Sequence, residues 1–267
     1  MRPSRTARRR SPGGIGARGE GRGNDDMSPS PPSAARVAAI VPAFNEQASL
    51  ADVLSALKAT AQVDEVIVVS DGSTDETAAI GRALGVKTIH HKRNIGKAVA
   101  MATGVAHTQA PLLVFVDGDI LNLSSYVVEM LISPVASGQA AMNIGLRNRG
   151  WLVNAVHRRT GPLLSGIRCL RREVFEAVPE EYLAGYRIET ALNWACDRLG
   201  LRCQTTVLYA LKHLVKEKKR GLLAGARARL DMFASVFAAW LRLRLTRPDL
   251  RRRGAPPGAQ PELEYIN

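Results

Sequence analysis

The sequence predicts an α/β fold, a mainly parallel sheet flanked by helices, with a C-terminal helical extension. Three observations predict it. Apolar runs of four or five residues recur between Val37 and Val116, with helical-period segments between them; runs so continuously apolar suit parallel strands covered on both faces. The polar residues of interest fall just after those runs, at strand C-termini, where open α/β sheets place their ligands. The 267 residues are 46% apolar and 23% charged, which suits a globular α/β domain.

Residues 1–35 are almost wholly Arg, Ser, Pro, Gly and Ala, without apolar periodicity, and are expected to be a disordered basic tail. The stretch Gly14-Ile-Gly16-Ala-Arg-Gly19 matches a dinucleotide fingerprint only literally, because no strand precedes it and no helix follows. Met27 offers an alternative translation start. Val37–Val41 reads as the first strand, Pro42-Ala-Phe-Asn-Glu46 as its exit loop, and Leu50, Val53, Leu54 and Leu57 as a helix face. Val66–Val69 is the second strand and Ser70–Asp75 its turn, with Ser73 or Thr74 the expected cap of a helix through Ala78, Ile80 and Leu84. A third strand at Lys87–His90 leads through Arg93-Asn-Ile-Gly-Lys97 into a helix from Ala98 to about His107. Leu112–Val116, the most continuously apolar run, is the fourth and central strand, and it ends in Asp117-Gly-Asp119.

The net charge of +13 is unevenly placed. Residues 1–36 carry +5, residues 212–253 carry +10, the last fourteen residues carry −2, and residues 37–211 sum to zero. A neutral body with basic ends disfavours a nucleic-acid partner. Cys169, Cys196 and Cys203 lack metal-type spacing, and their odd number suggests a reducing compartment rather than a disulfide framework. No eighteen-residue apolar run suggests a membrane span, and no apolar stretch stands behind the basic start where a signal peptide needs one. A cytoplasmic protein is expected.

Asp117-Gly-Asp119 places two carboxylates two residues apart at a strand end, hard oxygen ligands of the kind that hold Mg²⁺ or Mn²⁺ beside phosphates. Together, Val41-Pro-Ala-Phe-Asn-Glu46, Val68-Val-Ser-Asp71-Gly-Ser-Thr-Asp75, Arg93-Asn-Ile-Gly-Lys97 and Val116-Asp-Gly-Asp119 resemble the ordered motifs of family-2-type, GT-A-fold glycosyltransferases. The resemblance implies a nucleotide-sugar donor, UDP- or GDP-linked, held with a divalent cation. It assigns Pro42, Ala43, Phe44 and Glu46 to the nucleoside pocket, Asp71 to the base, Lys97 to the nucleotide or diphosphate, Asp117 with Gly118 to the ribose side, and Asp119 to the metal. Ser70 stands where such enzymes commonly carry a first acid, which leaves the base open. The chemistry is coherent in its own right: a diphosphate leaving group gathers negative charge as the sugar bond breaks, and a metal with Lys97 stabilises it.

The second half is less regular. Ser165, Gly166 and Arg168, before an expected helix at Leu170–Val178, resemble an acceptor-side loop; the alternative is a helix entry with a surface arginine. Glu189, opening a helix with Leu192, Ala195 and Leu199, matches the position of a general base toward an acceptor hydroxyl, or orients a ligand if the acceptor is itself a phosphate or carboxylate. His213, after the strand-like run Thr205–Tyr209, is placed like the late histidine that joins the D-x-D as a metal ligand in some GT-A enzymes; His90, His91, His107 and His157 carry no such case.

These residues predict a catalytic domain over 36–215, a basic amphipathic helical extension over 216–246 and a flexible tail over 247–267. The extension carries Leu230, Phe233, Phe237, Trp240 and Leu241 at helical spacing, flanked by Arg227, Arg229, Arg242 and Arg244. Packing on the catalytic domain is expected, with peripheral contact to an anionic membrane as the rival. Through the late histidine and the Gly185–Thr190 segment, the resemblance implies first a small phosphorylated acceptor such as 3-phosphoglycerate and second a polyprenyl phosphate. A homodimer is compatible with the sequence. A catalytically dead membrane- or nucleic-acid-binding module is the rival from another class, and a nucleotidyltransferase is disfavoured because the first loop is not Gly-rich.

Overall fold

The computed structural model describes residues 35–147, 165–183, 188–209, 211–213, 238, 241–246, 248–250 and 263–264. Strand and helix alternate through β1 (Val37–Ala43), α1 (Leu50–Lys58), β2 (Glu65–Ser70), α2 (Thr77–Ala83), β3 (Lys87–His91), α3 (Lys97–Ala106) and β4 (Leu112–Phe115). The order then loosens into β5 (Ile120–Leu121), α4 (Ser125–Ala136), β6 (Met142–Arg147), β7 (Arg168–Arg171), α5 (Arg172–Glu176), α6 (Ile188–Arg198), β8 (Cys203–Leu208), β9 (Lys212–His213) and β10 (Leu263–Glu264). Among the described residues the main sheet runs β10-β3-β2-β1-β4-β7-β6-β8, and β5 pairs with β9 apart from it.

The first four strands are parallel. β7 runs antiparallel to both β4 and β6, while β6 and β8 are again parallel. β4 is interior, as expected from its unbroken apolar run. Period-two alternation divides the core between the faces. Ala38, Ile40, Leu113 and Phe115 point toward α3, α5 and α6. Val37, Ala39, Val41, Leu112 and Val114 point toward α1 and α4. Proline is tolerated within interior β1 because β4 pairs only as far as Phe115, opposite Ile40. On that side Pro42 has no neighbouring strand, so its missing N–H costs no ladder bond there. This gap between β1 and β4 is where the strand order reverses, the position where such sheets bind ligands.

Three local expectations change. Leu170 and Arg171 belong to β7 rather than to a helix, which begins at Arg172; Cys169 and Leu170 are fully buried between strands on both sides and satisfy their backbone in the ladder. α2 starts behind Glu76 without a side-chain cap, and Asp75 Oδ1 instead accepts from the Thr77 N–H at 3.0 Å. At the C-terminus, Leu263 and Glu264 are not loose tail but pair with His91 and His90, satisfying the open edge of β3.

Pro134 lies inside α4 and cannot donate to the Met130 carbonyl. The buried Asn143 side chain supplies that donor, with Nδ2 at 3.2 Å from Met130 O and 3.0 Å from Leu131 O. Of the expected extension, only 238 and 241–246 are described, and both are helical; Leu230, Phe233, Phe237, Trp240, Arg227 and Arg229 lie outside the described residues. Leu243 is buried in the core beside α6, whereas Leu241 and Leu245 are exposed. This turn therefore packs on the domain through Leu243, one step out of register from the expected stripe. No helix among the described residues is long and apolar enough to cross a membrane.

Candidate active site

Two loops interlock above the C-terminal ends of β1 and β2. Asn45 N–H donates to Ser73 Oγ at 3.1 Å, and Asn45 Oδ1 accepts from Thr74 N–H at 2.9 Å. Glu46 N–H donates to Thr77 Oγ1 at 2.8 Å, Gln47 N–H to Asp75 Oδ2 at 3.2 Å, and Glu76 N–H to Gln47 Oε1 at 3.1 Å. The side chains of Asn45, Ser73, Asp75 and Gln47 thus stand in for the strand partners that both loops lack. Asp117-Gly118-Asp119 is fastened to the same place, because Ser49 Oγ donates to Gly118 O at 2.8 Å. Pro42, Ala43 and Gly118 are buried beneath this platform, Glu46 is half-buried, and Phe44 is 41% exposed at its edge. An aromatic ring left half in solvent at a strand-end cleft suits stacking against a planar ligand.

The loop Arg93–Gly96 forms the next wall. Gly72 has φ +68, and a Cβ there would lie 2.3 Å from Arg93 C and Asn94 N, so only glycine lets the loop rest on the β2 turn. Asp71 is buried and clamps the same loop, with Oδ1 accepting from Ile95 N–H at 3.1 Å and Oδ2 from Gly96 N–H at 2.8 Å. Burial raises the Asp71 pKa, but the His91 contact and these backbone donors outweigh it and hold the carboxyl below its ordinary value. The Asp71 carboxylate thus organises the loop that leads into Lys97.

Lys97 Nζ sits 2.7 Å from Asp117 Oδ1 and 3.0 Å from Glu189 Oε1, joining the end of β4 to the first turn of α6. Burial alone would lower the lysine pKa, but Asp117 and then Glu189 carry it above the ordinary value. Glu189 moves the opposite way: burial raises it, while Lys97 and Arg168 pull it below the ordinary carboxylate range. A carboxylate so stabilised is a weak proton acceptor. Gly166 closes the group, since a Cβ there would lie 2.1 Å from Asp117 Oδ2 and 2.4 Å from Lys97 Nζ. Residues expected on the donor side and on the acceptor side thus converge on one ion-paired cluster.

Arg168 differs from both alternatives expected of it. It is neither a surface residue nor an outward-reaching anion ligand, because it is fully buried on β7. Its Nε and Nη2 donate to Ser165 O, and its Nη1 donates to Asn193 Oδ1 at 3.2 Å and Glu189 O at 3.4 Å. Burial lowers its pKa, opposed by the charge of Glu189. The Ser165 hydroxyl is likewise engaged, donating to Gly145 O. Both residues shape the Gly166 loop from behind. Residues that the motifs do not reveal include Ser49, Gln47, Asn193, Thr103 and His91, each holding a loop or helix that carries a motif residue.

For a divalent cation, the donor chemistry fits: Asp117 and Asp119 supply hard oxygens, and the β5–β9 register sets His213 opposite Ile120, the residue after Asp119. The His213 backbone is therefore brought to the D-x-D; its side chain lies outside the described residues. Among the described residues no three carboxylate, thiol or imidazole groups cluster as a metal cage.

A sheet whose order reverses between β1 and β4, with two loop-borne carboxylates and an ion-paired lysine at the reversal, is an open α/β sheet with its polar groups at the switch point, the architecture expected of a GT-A-type protein. The profile described as Glycosyl transferase family 2 matches residues 38–178, and the chain belongs to that family. Over 210 residues it is 26% identical to glucosyl-3-phosphoglycerate synthase of Mycobacterium tuberculosis, covering 62% of each chain. Over 168 residues it is 27% identical to the undecaprenyl-phosphate 4-deoxy-4-formamido-L-arabinose transferase of Pseudomonas paraeruginosa, covering 55% of this chain and 49% of that one. The M. tuberculosis synthase in complex with Mn²⁺, UDP-glucose and phosphoglyceric acid superposes with TM-score 0.65 at 26% identity, covering 80% of this chain and 81% of that one. The chain spans 62% of the length of the first of these curated relatives.

Proposed function

We propose that this chain is a metal-dependent glycosyltransferase that moves a hexosyl group from a nucleotide sugar, UDP-linked by preference over GDP-linked, to a small phosphorylated acceptor of the 3-phosphoglycerate kind. The observation that carries the reading is the Lys97–Asp117–Glu189 cluster with Gly166 pressed against it. Support for the acceptor class comes from the M. tuberculosis synthase, whose crystal holds UDP-glucose, Mn²⁺ and phosphoglyceric acid together.

Phe44 and Glu46 with the platform beneath them would hold the nucleoside, Asp117 would meet the ribose side, and Asp119 with His213 would hold the cation. When bound, that cation neutralises diphosphate oxygens and withdraws charge from the breaking sugar bond. Lys97 supplies a fixed positive charge on the same side, and Asp117 and Glu189 keep it in place at no reorganisation cost. Glu189 is assigned to orientation of Lys97 and of the acceptor rather than to proton removal, because its Oε1 is already paired with Lys97 at 3.0 Å. Arg168 and Ser165 fix the Gly166 loop, whose lack of a side chain lets it lie directly against Asp117 and Lys97.

The test is transfer from UDP-[¹⁴C]glucose with Mn²⁺ to 3-phosphoglycerate and, in parallel, to undecaprenyl phosphate in detergent. A labelled, charged, water-soluble product that vanishes with EDTA and in Asp119→Ala supports the reading. Label in the lipid fraction alone moves the acceptor to a polyprenyl phosphate, the reading favoured by the likeness to the arabinose transferase. Transfer to neither, with no binding of UDP, sinks the enzyme assignment.

A further inference from the structure

No sequence motif gives His91 a role, yet the structure buries it to 1% exposure at the end of β3 and bonds both ring nitrogens. Nδ1 lies 2.8 Å from Asp71 Oδ1, and Nε2 lies 3.1 Å from Thr103 Oγ1. Asp71 is the clamp on the Ile95 and Gly96 amides. Thr103 lies inside α3, the helix whose first residue is Lys97. The imidazole therefore ties the body of α3 to the clamp that sets where α3 begins. Gly96, with φ +105, is the joint between them.

Resting on the glycosyltransferase reading, we propose that His91 is a positioning residue of the donor site: it fixes the Asp71 carboxylate and α3 in one frame, so that Lys97 meets Asp117 and Glu189 at the diphosphate. The physical need is plain. Asp71 is an anion at 3% exposure, and a buried carboxylate stays in place only while donors surround it. Two of those donors are on the loop being positioned, so the carboxylate needs a third partner outside the loop to be an anchor rather than a passenger. His91 is that partner, and β3 supplies its rigidity through pairing with β2 on one edge and β10 on the other. Removing the ring donor leaves Asp71 bonded chiefly to the loop it should hold, and Lys97 loses a defined starting point for its side chain.

Two variants separate this role from a general packing role. His91→Phe fills the volume and removes both hydrogen bonds, whereas in His91→Asn the side-chain amide replaces the Nδ1 donor toward Asp71 and gives up Thr103. Amide hydrogen exchange over the peptide 93–97 reads the clamp without any ligand, and steady-state kinetics with UDP-glucose, Mn²⁺ and 3-phosphoglycerate read its consequence. In His91→Phe, exchange at Ile95 and Gly96 is expected to rise about tenfold, consistent with loss of a charge-assisted hydrogen bond. Donor KM is expected to rise about as much, while acceptor KM stays within about twofold; His91→Asn restores most of both. Unchanged exchange in a folded His91→Phe overturns the proposal. Faster exchange with no movement of donor KM, or an equal rise in both KM values, also overturns it. If His91→Phe does not fold, His91→Leu against Thr103→Val decides, because only the first removes the Asp71 partner and is expected to loosen the 93–97 amides; equal loosening in both counts against it. Absence of any donor turnover in the wild-type chain removes the glycosyltransferase reading, and the exchange rates alone then decide whether His91 anchors the loop.

Discussion

The segment from Val37 to Asp119 and the segment from Ser165 to His213 both supply the site, but they do so by different physics. In the first, each functional residue lies within a few positions of a strand end, and adjacent parallel strands bring those ends together. In the second, Gly166, Arg168 and Glu189 are brought to the cluster by an antiparallel strand, a buried guanidinium and a helix entry. The first segment builds its site by repetition of one βαβ unit, and the second by a single network whose members depend on one another. Chemistry placed on repeated strand ends needs only local sequence to specify it. Chemistry placed by a network is specified by contacts between distant positions.

If the lysine is where the two segments meet, its removal produces the largest effect available. Lys97→Met keeps the length and the apolar stem but deletes the charge proposed to face the leaving diphosphate, and it leaves Asp117 and Glu189 repelling one another. Transfer measured as kcat/KM is expected to fall about 10²–10³-fold, the range typical of losing one preorganised group that stabilises transition-state charge. A fall of less than tenfold would remove Lys97 from the reaction and make the cluster a structural tie.

Gly166→Ala probes the same meeting point from the second segment. The added Cβ has no vacant position, since Asp117 Oδ2 and Lys97 Nζ occupy its space. Displacing either by about 1 Å is expected to cost about 10²-fold in turnover. Thermal unfolding should move little, because Lys97 is 29% and Asp117 22% exposed, with room to shift outward. A variant with full activity would show that the Ser165–Gly166 loop stands clear of the working site.

Most of the first segment is legible in the sequence, down to the strand ends and Asp117-Gly-Asp119, because continuous apolar runs and the turns after them are short-range signals. The residues it conceals, His91 and Thr103, are ordinary strand and helix residues whose importance arises only from the 2.8 Å and 3.1 Å contacts that link them. The second segment misleads at Arg168. Leu170-Arg-Arg-Glu-Val-Phe reads as a charged helix, and nothing local reveals that Cys169 and Leu170 are buried between two antiparallel strands. An arginine next to a glycine loop reads as an anion ligand; it takes the fold to show its donors spent on Ser165, Glu189 and Asn193. The late histidine stands out for a sequence reason, its place after a strand-like run, and the β5–β9 pairing gives that placement a physical cause.

Acid and base titrations test whether the cluster is held as ion pairs. Glu189 has a folded pKa below its ordinary 4.5, so its contribution to stability is complete above that value and is lost as pH falls through the lower folded value. Lys97 has a folded pKa above its ordinary 10.5, so its contribution is complete below that value and is lost as pH rises through the higher folded one. Asp71, also lowered, adds to the acid limb. Urea midpoints should therefore be flat across neutral pH and fall below about pH 4. Glu189→Gln should flatten the acid limb; an unchanged limb would mean that the Lys97–Glu189 pair contributes nothing to folding.

Two adjacent arginines give the smallest effects and the finest test of how separate the segments are. Arg171 pairs with Glu173 at 3.7 Å near the surface, with the two side chains 38% and 31% exposed. Such pairs contribute little, and Arg171→Ala is expected to change stability by less than about 0.5 kcal/mol. Arg172 instead reaches back from α5 into the first segment, donating to Ala110 O at 2.9 Å and Thr108 O at 2.7 Å, just past the end of α3. Its Nη1 also reaches Val105 O at 3.4 Å, one of the carbonyls in the last turn of α3 that have no intrahelical partner. Arg172→Ala is therefore expected to cost about 2 kcal/mol, read as a shift of urea midpoint at constant m-value. Because α3 begins with Lys97, loosening its far end should also raise donor KM slightly, whereas Arg171→Ala should leave it alone. Equal effects from the two neighbours would mean that the segments meet only at the catalytic cluster, and that α3 needs no support from the second one.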